Sequence, residues 1–167
     1  MKEFFVSHST LQTLYSAFTE LDTERMASCY ADNARFQDEA FQLQGKAEIM
    51  GMWNMLCDAV KAKGRSDWKL TFSQVQSDGK RGTAHWEPIY RFSATGRMVH
   101  NVIDAEFTFD AQGKILTHRD RFDFWSWARQ ALGAPGLLLG WSGFLRNKVQ
   151  HKANAGLRKY LAAKAQA

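Results

Sequence analysis

The chain is short of the residues that build unusual scaffolds. It has two cysteines, Cys29 and Cys57, in 167 residues. Two thiols cannot make a disulfide framework, and both fall in apolar helical patterns, as reduced core cysteines of a cytoplasmic protein do. Two prolines, Pro88 and Pro135, and no Pro/Ser-rich stretch leave no linker and no low-complexity segment. Long apolar runs are missing too. Met1 to His8 lacks the core of a signal peptide. Leu137 to Leu139 is far too short to span a bilayer. No phosphate-cradling glycine loop and no nucleophile elbow occurs. No His/Cys/carboxylate run has ligand spacing, so neither a metal nor any other cofactor is expected.

One sign of charge is missing locally. From Ser126 onward there are seven basic residues and no acidic one. The net charge of +5 therefore belongs to the tail, because the remainder holds 15 basic against 17 acidic residues, or −2. That distribution points away from a nucleic-acid-binding body. What is abundant is apolar side chain, 45% of the chain with 13% aromatic, enough for one domain with a sizeable core.

The first part of the chain carries helical periodicity. Ser7 to Leu21 has the stripe Leu11, Leu14, Tyr15, Phe18, Leu21. Asp22 caps a short helix through Met26, Cys29 and Tyr30, and Ala31-Asp-Asn33 breaks it. Arg35 to Asp38 and Phe41 to Leu43 suit short extended segments. Lys46 to about Ala62 is a third helix with Ile49, Met50, Trp53, Leu56, Cys57 and Val60 buried, ended by Lys63-Gly64. The period then changes to two. Asp67 to Gln76, Lys80 to Ser93, Arg97 to Phe109 and Lys114 to Trp125 are strand-like runs separated by turns. Three helices followed by an antiparallel meander give an α+β fold: a cone-like curved sheet with the helices packed on its concave face. Residues 1–127 form this domain. Residues 128–167 form a basic helical extension packed on the same domain.

The run Gly113 to Trp127 is the most informative. Leu116, His118, Asp120, Phe122 and Phe124 share one strand face, with the imidazole and carboxylate about 7 Å apart along the strand. They either share a water or substrate oxygen in a pocket, or form a buried pair or an ion pair with Arg91 or Arg121. Asp123, Arg119 and Arg121 lie on the other face, and with Trp125 they suggest a homodimer through the outer sheet face. Asp38 shares parity with Phe36 toward the cavity. It is either a desolvated acid–base group or a turn residue capping backbone NH groups. Trp86, Pro88, Tyr90 and Phe92 share a face, with Pro88 marking an edge or bulge and Tyr90 offering a hydroxyl. Asn101 sits among Val99, Ile103, Ala105 and Phe107, where an amide needs partners. Trp53, Trp86, Asn101, Phe122 and Phe36 are thus the expected ligand-contacting set. Asp38, Asp120, His118 and Tyr90 are the expected catalytic set.

These elements and two phrases resemble the nuclear transport factor 2-like superfamily, whose fold is also called cystatin-like. Within it the chain resembles the SnoaL-like polyketide cyclases, the ketosteroid isomerases and the limonene epoxide hydrolases. Tyr30-Ala-Asp-Asn-Ala-Arg-Phe-Gln-Asp38 is similar to the isomerase segment ending in its general base. Gly113-Lys-Ile-Leu-Thr-His-Arg-Asp120-Arg-Phe-Asp is similar to the last-strand phrase that supplies a catalytic aspartate in the epoxide hydrolases. The likeness implies a cofactor-free isomerase or cyclase acting by proton transfer on a small apolar oxygenated ligand. Its alternatives are a non-catalytic binding or assembly module and epoxide-hydrolase-like water activation. Three positions depart from these families. Leu14 stands where the isomerases carry a tyrosine, with Tyr15 one step round the helix. Ala105 stands at their second acid. Trp86-Glu87-Pro88 replaces the Arg-x-Asp of the epoxide hydrolases.

Overall fold

The computed structural model describes residues 2–63 and 65–166, with side chains from Val6 on. Helix α1 (Lys2–Glu20) turns Leu11, Leu14, Tyr15 and Phe18 inward. It ends at Leu21, whose φ of 59° reverses the chain. The Asp22 amide then reaches back to the Ala17 carbonyl, 2.9 Å. A buried leucine takes the left-handed position that glycine usually fills, because its side chain is needed in the core. Asp22 caps α2 (Thr23–Ala27) through the Arg25 amide, as expected.

Strand β1 (Tyr30–Gln37) follows at once. The break expected at Ala31-Asp-Asn33 is not a turn. These residues lie where the pairing of β1 slips between Tyr30 and Arg35. Their turn propensity is spent on a bulge, which bends the strand. Asp38 falls just outside the strand, and β2 (Gln42–Gln44) returns antiparallel. Helix α3 (Lys46–Lys63) buries Ile49, Met50, Met52, Trp53 and Cys57. Gly64, expected to end it, lies outside the described residues.

Strands β3 (Lys69–Ser77), β4 (Arg81–Arg91), β5 (Met98–His100), β6 (Ile103–Phe109) and β7 (Ile115–Arg121) complete one seven-stranded sheet. Its order is β2-β1-β7-β6-β4-β3, with β5 also beside β4. The pairing is antiparallel except between β1 and β7, which are parallel. The meander is therefore closed by the first strand, which the local pattern did not reveal. The expected run Arg97 to Phe109 is two strands. Pro88 stands opposite the gap and has no NH to donate, so its pairing with Asn101 keeps one bond, from the Asn101 amide to the Pro88 carbonyl at 3.0 Å, while the register holds on either side, Trp86 with Ile103 and Ile89 with His100.

The last strand is also shorter than expected. Asp123 accepts a hydrogen bond from the Ser126 amide, 3.1 Å, and caps α4 (Phe124–Leu132). Asp123 is thus a helix cap and not an outer-face charge, and Trp125 lies on a helix and not on the sheet. Helix α5 (Ala134–Leu139) carries Pro135 in its first turn. It crosses α4 so closely that a Cβ on Gly136 would overlap the Ala128 carbonyl. Helix α6 (Gly143–Ala165) runs back over α3, with Leu161 against Gly51 and Leu157 in the main core. No described helix is long and apolar enough to cross a membrane.

Two apolar cores result. The larger lies between α1, α3 and the concave face of the sheet, and the smaller lies between α4, β5 and the start of α6. Gly136→Ala should cost about 1–3 kcal/mol through overlap with Ala128, read as a lowered melting temperature. An unchanged melt would contradict the close α4–α5 crossing.

Candidate active site in the cone interior

The inner face of β7 presents His118 and Asp120, buried to 2% and 4% exposure. They touch directly: His118 Nε2 lies 2.9 Å from Asp120 Oδ1. Along a straight strand they would stand farther apart, so the side chains lean toward one another. His118 Nδ1 lies 2.8 Å from the Tyr30 hydroxyl. That hydroxyl accepts from Trp53 Nε1 at 3.1 Å. Trp86 Nε1 donates to the same Asp120 oxygen at 3.3 Å. The polarity is self-consistent when Trp53 donates to Tyr30, Tyr30 donates to Nδ1, and Nε2–H donates to Asp120. The chain of five side chains joins α3, β1, β7 and β4.

Aromatic rings fill the space around it. The His118 ring lies 4.9 Å from Phe36 and 4.4 Å from Phe107, centroid to centroid. Phe18 packs against Trp53 at 4.9 Å and Trp86 at 5.6 Å. Tyr15 stacks on Phe72 at 5.5 Å and lies 5.9 Å from Trp86. The Tyr15 hydroxyl is the buried side-chain polar atom, among the described residues, that has no hydrogen-bond partner. Burial holds its pKa far above the ordinary tyrosine value, and the charges of Asp120 and Tyr30 add to this. Tyr15 therefore reaches the electrostatic neighbourhood of Asp120. The resemblance pointed to Leu14 at this helix position, but the side chain one step on is the one that brings a hydroxyl to the interior. The signal was present: Tyr15 is the one residue with a polar end in the stripe of α1.

Asp38 does not stand on a strand beside Phe36. Its Oδ1 accepts from the Ala40 and Phe41 amides at 2.7 and 2.6 Å, the turn geometry weighed as the alternative. Its carboxyl is nevertheless pushed up to about 7. Burial is the main cause. The two amides pull the other way, and the charges of Asp120 and Glu39 add to the rise. The residue keeps partial contact with solvent, which places it toward the rim of the interior. The turn that carries it is held from α6, where Gln150 and Asn154 donate to the carbonyls of Glu39 and Ala40 at 3.0 and 3.2 Å.

Tyr90 belongs to the smaller core. Its oxygen accepts from Trp127 Nε1 at 3.0 Å, and burial raises its pKa to about 12 with a contribution from Asp38. Asn101 is buried, and its Oδ1 bonds the neighbouring Val102 amide at 3.2 Å. Phe122 packs between the two cores. The structure thus brings Asp120, His118, Trp53, Trp86, Phe36 and the unforeseen Tyr30 and Tyr15 together. Tyr90 lies within the field of Asp38. Neither Arg91 nor Arg121 pairs with Asp120: they bond Asp67 at 2.8 Å and Glu106 at 3.1 Å.

Two cavities open on the surface. A groove of about 780 Å³ is lined by exposed Arg35, Gln37, Arg81, Glu106, Thr117 and Arg119 of the outer sheet face and also reaches Phe36, Phe107 and His118 of the same strands. A smaller cleft of about 340 Å³ sits beside α1 at Thr10, Cys29 and Lys114. On the outer face His85 lies between Asp104, 2.8 Å, and Glu87, 3.0 Å, and both raise its pKa, Asp104 more strongly. No group of three His, Cys, Asp or Glu among the described residues is placed to hold a metal ion.

A curled α+β cone with a polar chain inside a ring-lined interior defines a class, and comparison with known proteins places the chain in it. Residues 11–118 match the SnoaL-like domain model, and the chain belongs to that family. The fold is that of the nuclear transport factor 2-like proteins. A structure described as a candidate polyketide cyclase from Xanthomonas campestris pv. campestris superposes with a TM-score of 0.61 at 15% identity, over 77% of this chain and 98% of that one. A candidate isomerase from Bacillus subtilis gives 0.61 at 18% identity, over 80% and 96%. An LEH-like epoxide hydrolase from M. tuberculosis gives 0.59 at 14% identity, over 81% and 95%. At these identities the likeness shows the fold alone. No curated protein sequence matches the chain.

The raised Asp38 carboxyl sets a pH dependence. An acid whose pKa is higher in the folded than in the unfolded state favours folding fully below the unfolded value of 3.8, and that contribution fades as pH rises toward about 7. Relative to Asp38→Asn, the wild type should lose a few kcal/mol, on the order of 2–4, between about pH 4 and 7. Paired thermal or urea melts measure it. A difference that stays flat across this window would contradict the burial of the carboxyl.

Proposed function

We propose that the protein is a cofactor-independent enzyme that moves a proton on a small apolar substrate bearing a carbonyl or similar oxygen. The unpartnered Tyr15 hydroxyl beside Asp120 carries this reading. A buried hydroxyl without an acceptor costs free energy unless something fills the place. A substrate oxygen is a fitting acceptor. Asp38, at about 7, has a useful fraction of carboxylate near neutrality and remains basic enough to take a proton from an activated carbon. The C–H electron pair passes to the carbonyl oxygen as the proton moves to Asp38. Tyr15 donates to the oxyanion so formed, in surroundings with little water to compete. In an isomerisation Asp38 then returns the proton to a second carbon; in a cyclisation the carbanion closes the ring on an acceptor carbonyl, and Asp38 gives the proton to the alkoxide that the acceptor oxygen becomes.

Asp120, held on one oxygen by His118 and Trp86, sets the field that Asp38 and Tyr15 feel. The ring of Phe18, Phe36, Trp53, Trp86 and Phe107 supplies the apolar wall. Tyr90 is a further donor near Asp38, since its oxygen accepts from Trp127 and leaves its own proton free. Residues 128–167 belong to the same working unit as 1–127, because α6 ties down the turn that holds Asp38. A second copy of the chain across the polar outer groove completes the reading.

A ligand-binding module without turnover is the second reading. Its support is that Trp53, Tyr30, His118, Asp120 and Trp86 satisfy one another without any ligand.

The test is turnover of β,γ-unsaturated cyclic ketones and of polyketide-like methyl esters, with deuterium exchange at the activated carbon as a second readout. The wild type should exchange the proton with kcat/KM half-maximal near pH 7. Asp38→Asn should lower kcat by about 10²–10⁴-fold and Tyr15→Phe by about 10²–10³-fold. Ligand-induced shifts of the Trp53 and Trp86 indole signals without exchange or product would favour the module. Absence of both would contradict each reading.

A further inference from the structure

The tail leaves a group of large apolar side chains in solvent. Trp141 is 76% exposed, Phe144 70% and Leu138 68%, with Leu137, Leu139 and Trp125 exposed beside them in sequence. Scattered single exposed residues need no explanation, but six within twenty positions do. Their exposure is built in. Gly136 and Gly140 turn the bare side of α5 onto α4, where a side chain would collide with Ala128 and Trp125. The leucines between them are thereby left to solvent. The Trp125 and Trp141 indole NH groups donate to the carbonyls of Leu137 and Leu138, both within 3.1 Å, which holds the tip in shape.

The neighbouring charges all have one sign. In α6 the buried side runs Leu145, Val149, Ala153, Leu157 and Leu161 against the domain. The opposite side begins with Phe144 and continues, at helical spacing, through Lys148, Lys152, Arg158 and Lys159, all exposed. None of these four forms an ion pair among the described residues, whereas Arg146 and Lys164 pair with Glu39 and Asp58. Arg129 lies over the Trp125 ring, 5.7 Å from its centroid. No acidic residue occurs from Ser126 to Ala167 to offset them.

We infer that this face docks the protein on an anionic lipid bilayer. Leu137, Leu138, Trp141 and Phe144 enter the headgroup–acyl boundary, and Lys148, Lys152, Arg158 and Lys159 lie over the lipid phosphates. Charge complementarity selects this occupant. A wedge of Leu, Trp and Phe beside a cationic helix face suits an interface that is apolar within and negative at its surface. A second copy docked patch to patch would bring two sets of like charges together. The inference is independent of any activity in the cone.

Full-length protein is sedimented with vesicles of phosphatidylcholine alone and with vesicles containing 40% phosphatidylglycerol. Binding should be at least tenfold greater to the anionic vesicles and should fall at least fivefold between 50 and 500 mM NaCl, as screening shortens the reach of the charges. Leu138→Ser/Trp141→Ser/Phe144→Ser and Lys148→Glu/Lys152→Glu/Arg158→Glu should each lower it at least tenfold, with circular dichroism melts confirming the fold. In the wild type, brominated lipid should quench tryptophan emission, and Trp141→Phe should lose most of that quenching. The inference is overturned if the wild type stays in the supernatant with anionic vesicles, or if both triple variants sediment as it does. It is equally overturned if the apolar variant turns a wild-type dimer into a monomer while vesicle binding is unchanged, which would assign the patch to a second copy.

Discussion

The hydrogen bond between His118 and Asp120 organises the interior. A carboxylate and an imidazole among aromatic rings are tolerated because each is satisfied by the other and by Tyr30 and Trp86. The chain so formed fixes the rotamers of five side chains from four elements. It also sets the charge that reaches Tyr15, Tyr30 and Asp38, all of which feel Asp120. Shifting any of these elements by one residue would leave a buried polar atom without a partner.

That constraint explains the placement of the two groups that are not satisfied or not at rest. Tyr15 comes from α1, which packs across the sheet, and its hydroxyl takes no part in the hydrogen bonds that join Trp53, Tyr30, His118, Asp120 and Trp86. Asp38 comes from the turn after β1, where two amides steady it but burial outweighs them. A free hydroxyl and a carboxyl near neutrality thus both lie in the field of Asp120 without belonging to the five-residue chain.

Much of the architecture was legible in the residues. The change from period 3.6 to period two marked the passage from helices to sheet, and turn residues separated the strands. His118 and Asp120 were placed on one inner face by parity alone. Their direct contact is the buried pair weighed against a shared water or substrate oxygen, and parity could not choose between the two, because it says nothing of how far side chains lean. Tyr30 was read as helical because its partner strand, β7, is distant in sequence. Alternation ran on past Phe122 through Phe124, so the helix that Asp123 caps was hidden inside an apparent strand. Tyr15 was passed over because the likeness to the isomerases pointed to Leu14, one step away. The exposed tip of the tail was hidden for another reason: three leucines in a row say nothing of which side glycines will press inward.

The proposed proton transfer depends on Asp38 holding its proton to unusually high pH. Carbon-detected NMR of the Asp38 carboxyl across pH 3–10 measures this directly. The account predicts a midpoint close to 7, moving down when Asp120 is replaced by asparagine. A midpoint near 3.8, unmoved by that replacement, would contradict it.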